Sequence, residues 1–189
     1  MIFCDLRGFT SFSGIAAPGE VMGLLQEYYK ALGAIITRYE ATLTCFMADG
    51  LMLLLNAPVP CPEPALRGVA MALDMRAAVR ALLASWWARG YAIGFGIGLA
   101  KGTATVGRIG YQGRSDYTAI GSIVNLAQRM CASAEDGQFL IDTAVAEEVG
   151  ETFAVMPLGI RQLRGFAEAV PVFSVTPPTV DAEALPAAE

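Results

Sequence analysis

A chain of 189 residues with 54% hydrophobic and 16% charged side chains has the apolar content of one globular domain and is too apolar for a disordered segment. Its 13 basic and 18 acidic residues leave a formal net charge of −5, which argues against a nucleic-acid-binding face, since neutralising phosphates takes a surplus of lysine and arginine. The absence of histidine removes imidazole bases, Ser-His-Asp triads and histidine-ligated zinc.

In chain order, Met1 to Cys4 reads as a short strand ending at Asp5, followed by the turn "LRGFTSFSG". The segment "PGEVMGLLQEYYKALGAIITRYE" is predicted helical, with Pro18 near its start and Val21, Leu24, Leu25, Tyr28, Leu32, Ile35, Ile36 and Tyr39 forming one apolar stripe. The runs "TLTCF" and "LMLLLN" make a hairpin with Asp49 at its tip, and the Pro-rich "APVPCPEP" is a connector. A second helix is expected from Ala65 to about Arg89, turning Leu66, Val69, Leu73, Met71 or Met75, Val79 and Leu82 inward. "YAIGFGIGLAKGTATVGRIG" reads as two glycine-rich strands, and "DYTAI", a helix from about Ser122 to Ala134, the strand "QFLID", a short helix and a closing hairpin follow. This order predicts an α+β fold: a ferredoxin-like βαββαβ core, helices on one face of an antiparallel sheet, with additional C-terminal strands and helices. The domain is expected over residues 1–175, with 176–189 a disordered acidic tail.

The four cysteines, Cys4, Cys45, Cys61 and Cys131, show no CxxC spacing and read as buried or half-buried thiols of a reducing, cytoplasmic compartment. No run reaches the roughly 18 apolar residues of a membrane span, and no secretory signal is visible. The start, "MIFCDL", enters a strand without lead-in. It reads as a trimmed domain or as one whose upstream regulatory region lies outside this chain.

Asp49 followed by glycine between apolar runs is a turn signal, because both residues tolerate positive φ. The βαββαβ order adds a second reading, since it sets the first strand beside the hairpin and brings Asp5 and Asp49 to one edge. Two such carboxylates repel unless a cation sits between them. With a backbone carbonyl, that of Leu6, and substrate phosphates, they make a hard oxygen set suited to Mg²⁺ or Mn²⁺. "GFTSFS", with Phe9 and Thr10, can present N–H groups to a phosphate. The plain alternative for Asp5 is a strand-end carboxylate. Asn125 and Arg129, at i and i+4, share one helix face, a clamp for phosphoryl charge and ribose or simply a solvated polar face.

At these residues the sequence resembles the class III nucleotidyl cyclases, the adenylate and guanylate cyclase catalytic domain. "FCDLRGFT" and "FMADGLM" resemble the two metal motifs, "DYTAIGSIVNLAQR" is similar to the family signature before and along the Asn/Arg helix, and "LRGF" resembles its late phosphate-binding Lys-Gly. The resemblance covers Phe3 to about Val175. It implies a nucleotidyl cyclase acting on a nucleoside triphosphate, ATP or GTP, as a head-to-tail homodimer for intracellular signalling. Asp5 and Asp49 of one chain would hold two Mg²⁺ or Mn²⁺ ions per site. The partner would supply Thr118 to the purine, Asn125 to the ribose, and Arg129 and Arg164 to the phosphates, with Arg114 a weaker candidate for the pyrophosphate. Three residues depart from the pattern. Cys45 stands where a lysine or glutamate reads the base, which weakens base discrimination, while Thr118 leans toward ATP. Ala48 replaces a glycine, a strained substitution if its φ is positive, and Ser122 replaces an Asp or Asn and can itself cap the helix. These departures also keep open a degenerate, non-catalytic domain that binds nucleotide or dimerises.

Overall fold

The computed structural model describes residues 1–176, the side chain of Arg114 excepted. Strand β1 (Ile2–Arg7) leads through helices α1 (Phe9–Ile15) and α2 (Pro18–Arg38) into the hairpin β2 (Thr42–Met47) and β3 (Gly50–Leu54). Helix α3 (Pro64–Trp87) returns the chain to β4 (Gly94–Leu99). A ribbon, β5 (Thr105–Tyr111) and β6 (Arg114–Ile120), precedes α4 (Ser122–Ser133), and β7 (Phe139–Ile141), α5 (Thr143–Val149), β8 (Ala154–Arg161) and β9 (Val170–Thr176) complete the described chain.

Seven strands form one sheet in the order β2-β3-β1-β4-β7-β9-β8, all neighbours antiparallel except β4 and β7. The β2-β3-β1-β4 half, with α2 and α3 as crossovers, is the expected ferredoxin-like core. Successive side chains of a strand point to opposite faces, and the two faces of this sheet differ. Ile2, Cys4 and Leu6 of β1 and Phe95, Ile97 and Leu99 of β4 join the large core beneath α2, α3 and α5. Phe3 belongs to a second core under α4, which covers the opposite face. The two core helices do share a face, as expected; α4 is the addition that closes the other.

Alternating glycines in "GFGIGL" make that closure possible. A Cβ on Gly98 would overlap the Ala127 carbonyl and lie 2.9 Å from the Cys131 Cα, so α4 lies directly on the β4 backbone. On the apolar face, α2 buries Leu24, Tyr28, Leu32, Ile35 and Ile36, with Val21, Leu25 and Tyr39 half-buried at its margins. In α3 both Met71 and Met75 are buried, whereas Leu66, Leu73 and Leu82 are only half-buried.

Three local readings change. The "LRGFTSFSG" turn contains helix α1. Gly8, at φ +72°, has only the Ala92 carbonyl oxygen where a Cβ would stand, 2.5 Å away. Phe12 is buried edge-on against Trp86 and Tyr91, at 5.7 and 4.8 Å between ring centroids, and that packing outweighs the poor helix propensity of Gly, Ser and Thr. Cys45 is exposed, unlike buried Cys4 and Cys131 and half-buried Cys61. Thr176, assigned to the tail, pairs with Ala154 in the sheet, while residues 177–189 lie outside the described chain. Among the described residues no helix is long and apolar enough to cross a membrane.

Candidate active site

Asp5 sits on β1 opposite Gly50 of β3 on one side and Gly96 of β4 on the other. One residue on, the Leu6 N–H donates to the Asp49 carbonyl at 3.1 Å, which ties the end of β1 to the hairpin tip. The N–H and C=O of a strand residue face the same neighbour, so the Leu6 carbonyl is directed to the Asp49 side as well. Asp5 and Asp49 therefore share one end of the sheet, as the fold argument expects.

The Asp-Gly pair works differently from a simple turn dipeptide. The positive φ falls on Ala48, at +57°, and neither Asp49 nor Gly50 has one. Gly50 is there for space, since a Cβ would lie 3.0 Å from the Cys4 carbonyl oxygen and 3.1 Å from Asp5 Oδ1. The strain anticipated at Ala48 is real, and Tyr29 of α2 offsets it by donating its hydroxyl to the Ala48 carbonyl. The Tyr29 ring also stands edge-on to Phe46, 5.0 Å between centroids.

Burial pushes the Asp5 carboxyl up from its ordinary value, and the charge of Asp49 pushes it further; Arg7, 3.6 Å away, pulls in the other direction. Burial likewise raises Asp49, again partly opposed by Arg7. Arg7 is a poor neutraliser of the pair, because its guanidinium also donates to the Cys131 carbonyl of α4 and its Nε is buried without a partner. Two half-buried carboxylates of raised pKa at one edge fit a divalent cation. Among the described residues no cluster of three Cys, Asp or Glu side chains exists, so backbone, water or phosphate oxygens would have to complete the coordination.

Phe9 and Thr10 open α1 immediately beyond this edge, Phe9 half-buried and Thr10 exposed. On β2 the exposed Phe46 turns toward Tyr29 and α2, whereas Met47 packs with the α4-side core; by alternation Cys45 lies on the Asp5 face. Thr118 is half-buried on β6, opposite Gly107. Arg164 is exposed between β8 and β9. Asn125 and Arg129 lie on the side of α4 away from its buried Val124, Ala127, Met130 and Cys131. No hydrogen bond or ion pair among the described residues joins Asn125, Arg129 or Arg164 to Asp5 or Asp49. The described residues thus bring Asp5, Leu6 and Asp49 together and do not join the polar helix face to them. Ser122 does not cap α4 as anticipated: Gly121 occupies the cap position, and Ser122 is the first helical residue. The Arg114 side chain lies outside the described residues. Sequence reasoning missed Arg7 and Tyr29; the glycine alternation of β4 was the signal for Arg7, since a Cβ on Gly96 would lie 2.9 Å from its Cζ.

A family model for the adenylate and guanylate cyclase catalytic domain matches residues 1–175. The chain belongs to that family. It is 29% identical to Adenylate cyclase 1 of Rhizobium meliloti over 92% of its length and 27% of the relative's, and 30% identical to an adenylate cyclase of Anabaena cylindrica over 69% of its length and 26% of the relative's. The chain thus spans about a quarter of these relatives. The adenylyl cyclase CyaB of P. aeruginosa superposes with a TM-score of 0.89 at 29% identity, covering 95% of this chain and 94% of that one. The guanylyl cyclase Cya2 superposes with a TM-score of 0.83 at 31% identity, covering 92% and 89%. Cyclases named for either purine therefore share this fold, and the cyclase class of lyase is the coarse assignment that both support.

Proposed function

We propose that the chain is a catalytic domain converting ATP, with GTP as a second substrate, into the 3′,5′-cyclic nucleotide and pyrophosphate, as a cytosolic part of a signalling protein. The observation that carries this reading is the Asp5–Asp49 pair, held at one edge by the Leu6–Asp49 bond and raised in pKa by burial. Asp5, Asp49 and the Leu6 carbonyl would hold Mg²⁺ or Mn²⁺, two ions per site. When bound, the metal supplies Lewis-acid polarisation of the phosphates and eases loss of the ribose 3′-hydroxyl proton.

The protein's own groups orient the substrate. Gly50 leaves the space that the Asp5 carboxylate occupies and Gly96 the space for the Arg7 guanidinium, Tyr29 holds the tip that carries Asp49, and Phe9 and Thr10 would line the phosphate side. Asn125 would fix the ribose, and Arg129 and Arg164 would stabilise charge on the phosphates. In this reading those three belong to a second copy arranged head to tail, consistent with the absence of a hydrogen bond or ion pair from them to Asp5 or Asp49 among the described residues. The β5–β6 ribbon supports an intersubunit role, because Val106, Ile109, Tyr111 and Ile120 are exposed along it. Thr118 and Cys45 would face the base, and a thiol in place of a charged reader makes discrimination between purines shallow.

The test is incubation of the protein with Mn²⁺ and ATP or GTP and quantification of cyclic product. Product from either, more from ATP, supports the proposal; nucleotide binding without product favours the non-catalytic alternative, in which the domain only binds or dimerises. Mixing Asp49→Ala with Asn125→Ala protein should restore about a quarter of wild-type activity, the share expected when half the dimers carry one intact site. No recovery in confirmed mixed dimers would overturn the shared site.

A further inference from the structure

The sheet face opposite the carboxylate pair borders a cavity of about 750 Å³ between α3, the start of β4 and the segment after α5. Leu73 and Leu83 of α3, Phe95 of β4 and Phe153 give it apolar walls. Two cations also line it, Arg76 and Arg80, one helical turn apart on α3. Neither forms an ion pair among the described residues. Arg76 Nη1 donates to the carbonyls of Gly137 and Val175, at 3.3 and 3.2 Å, while its Nη2 is buried with no acceptor among the described residues. A buried charged donor left unmet is costly, and such a group calls for an acceptor that the described residues do not supply.

The two carboxylates at the cavity do not meet that need. Asp74 accepts from Arg38 and from the Tyr39 hydroxyl, the latter at 2.6 Å. Asp136 accepts from the Phe95 N–H at 2.8 Å. Burial first, and the neighbouring Arg80 second, both lower the pKa of Arg76, the response of a guanidinium lacking a counter-charge.

We propose that this cavity binds a small amphipathic carboxylate, its head at Arg76 and Arg80 and its apolar body along Leu73, Leu83, Phe95 and Phe153. An inorganic anion would leave those walls wet, and a neutral apolar molecule would leave the Arg76 and Arg80 charges without a counter-charge. A multiply charged phosphate would meet Asp74 and Asp136. The volume suits a single small molecule. This site is independent of the cyclase reading, since Phe95 and Asp5 project from opposite faces of the sheet.

The probe is dodecanoate, titrated below its micellar range and followed by calorimetry and by tryptophan fluorescence, as Trp87 also lines the cavity. Dodecanoate should bind saturably at one site. Dodecanol, which lacks the charge, and acetate, which lacks the body, should each bind at least about tenfold more weakly, the equivalent of one charge-assisted hydrogen bond. Arg80→Gln, a change at an exposed side chain, should weaken dodecanoate about tenfold, and Ala77→Trp should block the cavity. Arg76→Gln also removes the tie to Gly137 and Val175, so Arg80→Gln carries the charge test. Equal affinity for dodecanol, or unchanged affinity in Arg80→Gln or Ala77→Trp, would overturn the proposal.

Discussion

The two faces of the central sheet come from the same strands and do opposite work. Facing α2 and α3, β1 presents Ile2, Cys4 and Leu6 and β4 presents Phe95, Ile97 and Leu99, all buried in one apolar core. Facing α4, β1 presents Phe3, Asp5 and Arg7, and β4 presents nothing but Gly94, Gly96 and Gly98. The first face stabilises by burying apolar area. The second gives up that area for room: at Gly96 for the Arg7 guanidinium, at Gly98 for the α4 backbone, and at Gly50 of neighbouring β3 for the Asp5 carboxylate. Charged groups sit where side-chain volume has been removed.

The largest test of this contrast is Asp5→Ala or Asp49→Ala, expected to lower turnover on the order of a thousandfold while leaving the far-ultraviolet spectrum unchanged. Retained turnover in either variant would remove the metal assignment. Next in size is a pair of single-methyl changes. Gly98→Ala pushes into the α4 backbone and should cost ~3 kcal/mol in denaturant unfolding, whereas Ile97→Val, on the apolar face, should cost ~1 kcal/mol. Equal costs would mean that the close seating of α4 on β4 is not what the glycines provide.

A smaller effect concerns the paired acids. Both have folded-state pKa values raised above the ordinary 3.8. Their contribution to stability is therefore fully present below the unfolded pKa and lost as pH rises through the folded values. Metal-free protein should become less stable as pH rises from about 4 toward neutrality, and Asp49→Asn should flatten that decline. Mn²⁺ should raise the melting temperature at neutral pH and do so much less near pH 4, where protonation competes with binding. A Mn²⁺ response independent of pH would contradict the pairing. The smallest expected change is Ala48→Gly, which relieves the positive φ and should stabilise by ~0.5 kcal/mol, with the unfolding midpoint as the readout.

Some of this contrast was legible in the sequence. The α2 stripe from Val21 to Tyr39 follows from periodicity, and the joint motifs around Asp5, Asp49 and Asn125 pointed to the cyclase family. The exchange of roles in "ADG" was not legible, because turn propensity concerns φ, whereas Gly50 answers to the Asp5 carboxylate from a strand more than forty positions away. Nor was α1. Its residues favour a turn by propensity, and only the distant Trp86 and Tyr91 make burial of Phe12 worthwhile.

By itself, then, the sequence determined the order of the elements other than α1, the α+β core and the family, since those rest on local periodicity and on motifs whose residues are neighbours along the chain. Tertiary structure decided which glycine makes room for which group, that Arg7 is shared between Asp5 and α4, that Tyr29 props the Asp49 tip, and that Arg76 and Arg80 share one cavity. Each of these is a contact between elements far apart along the chain, and contacts of that kind are settled by packing and electrostatics once the elements have met.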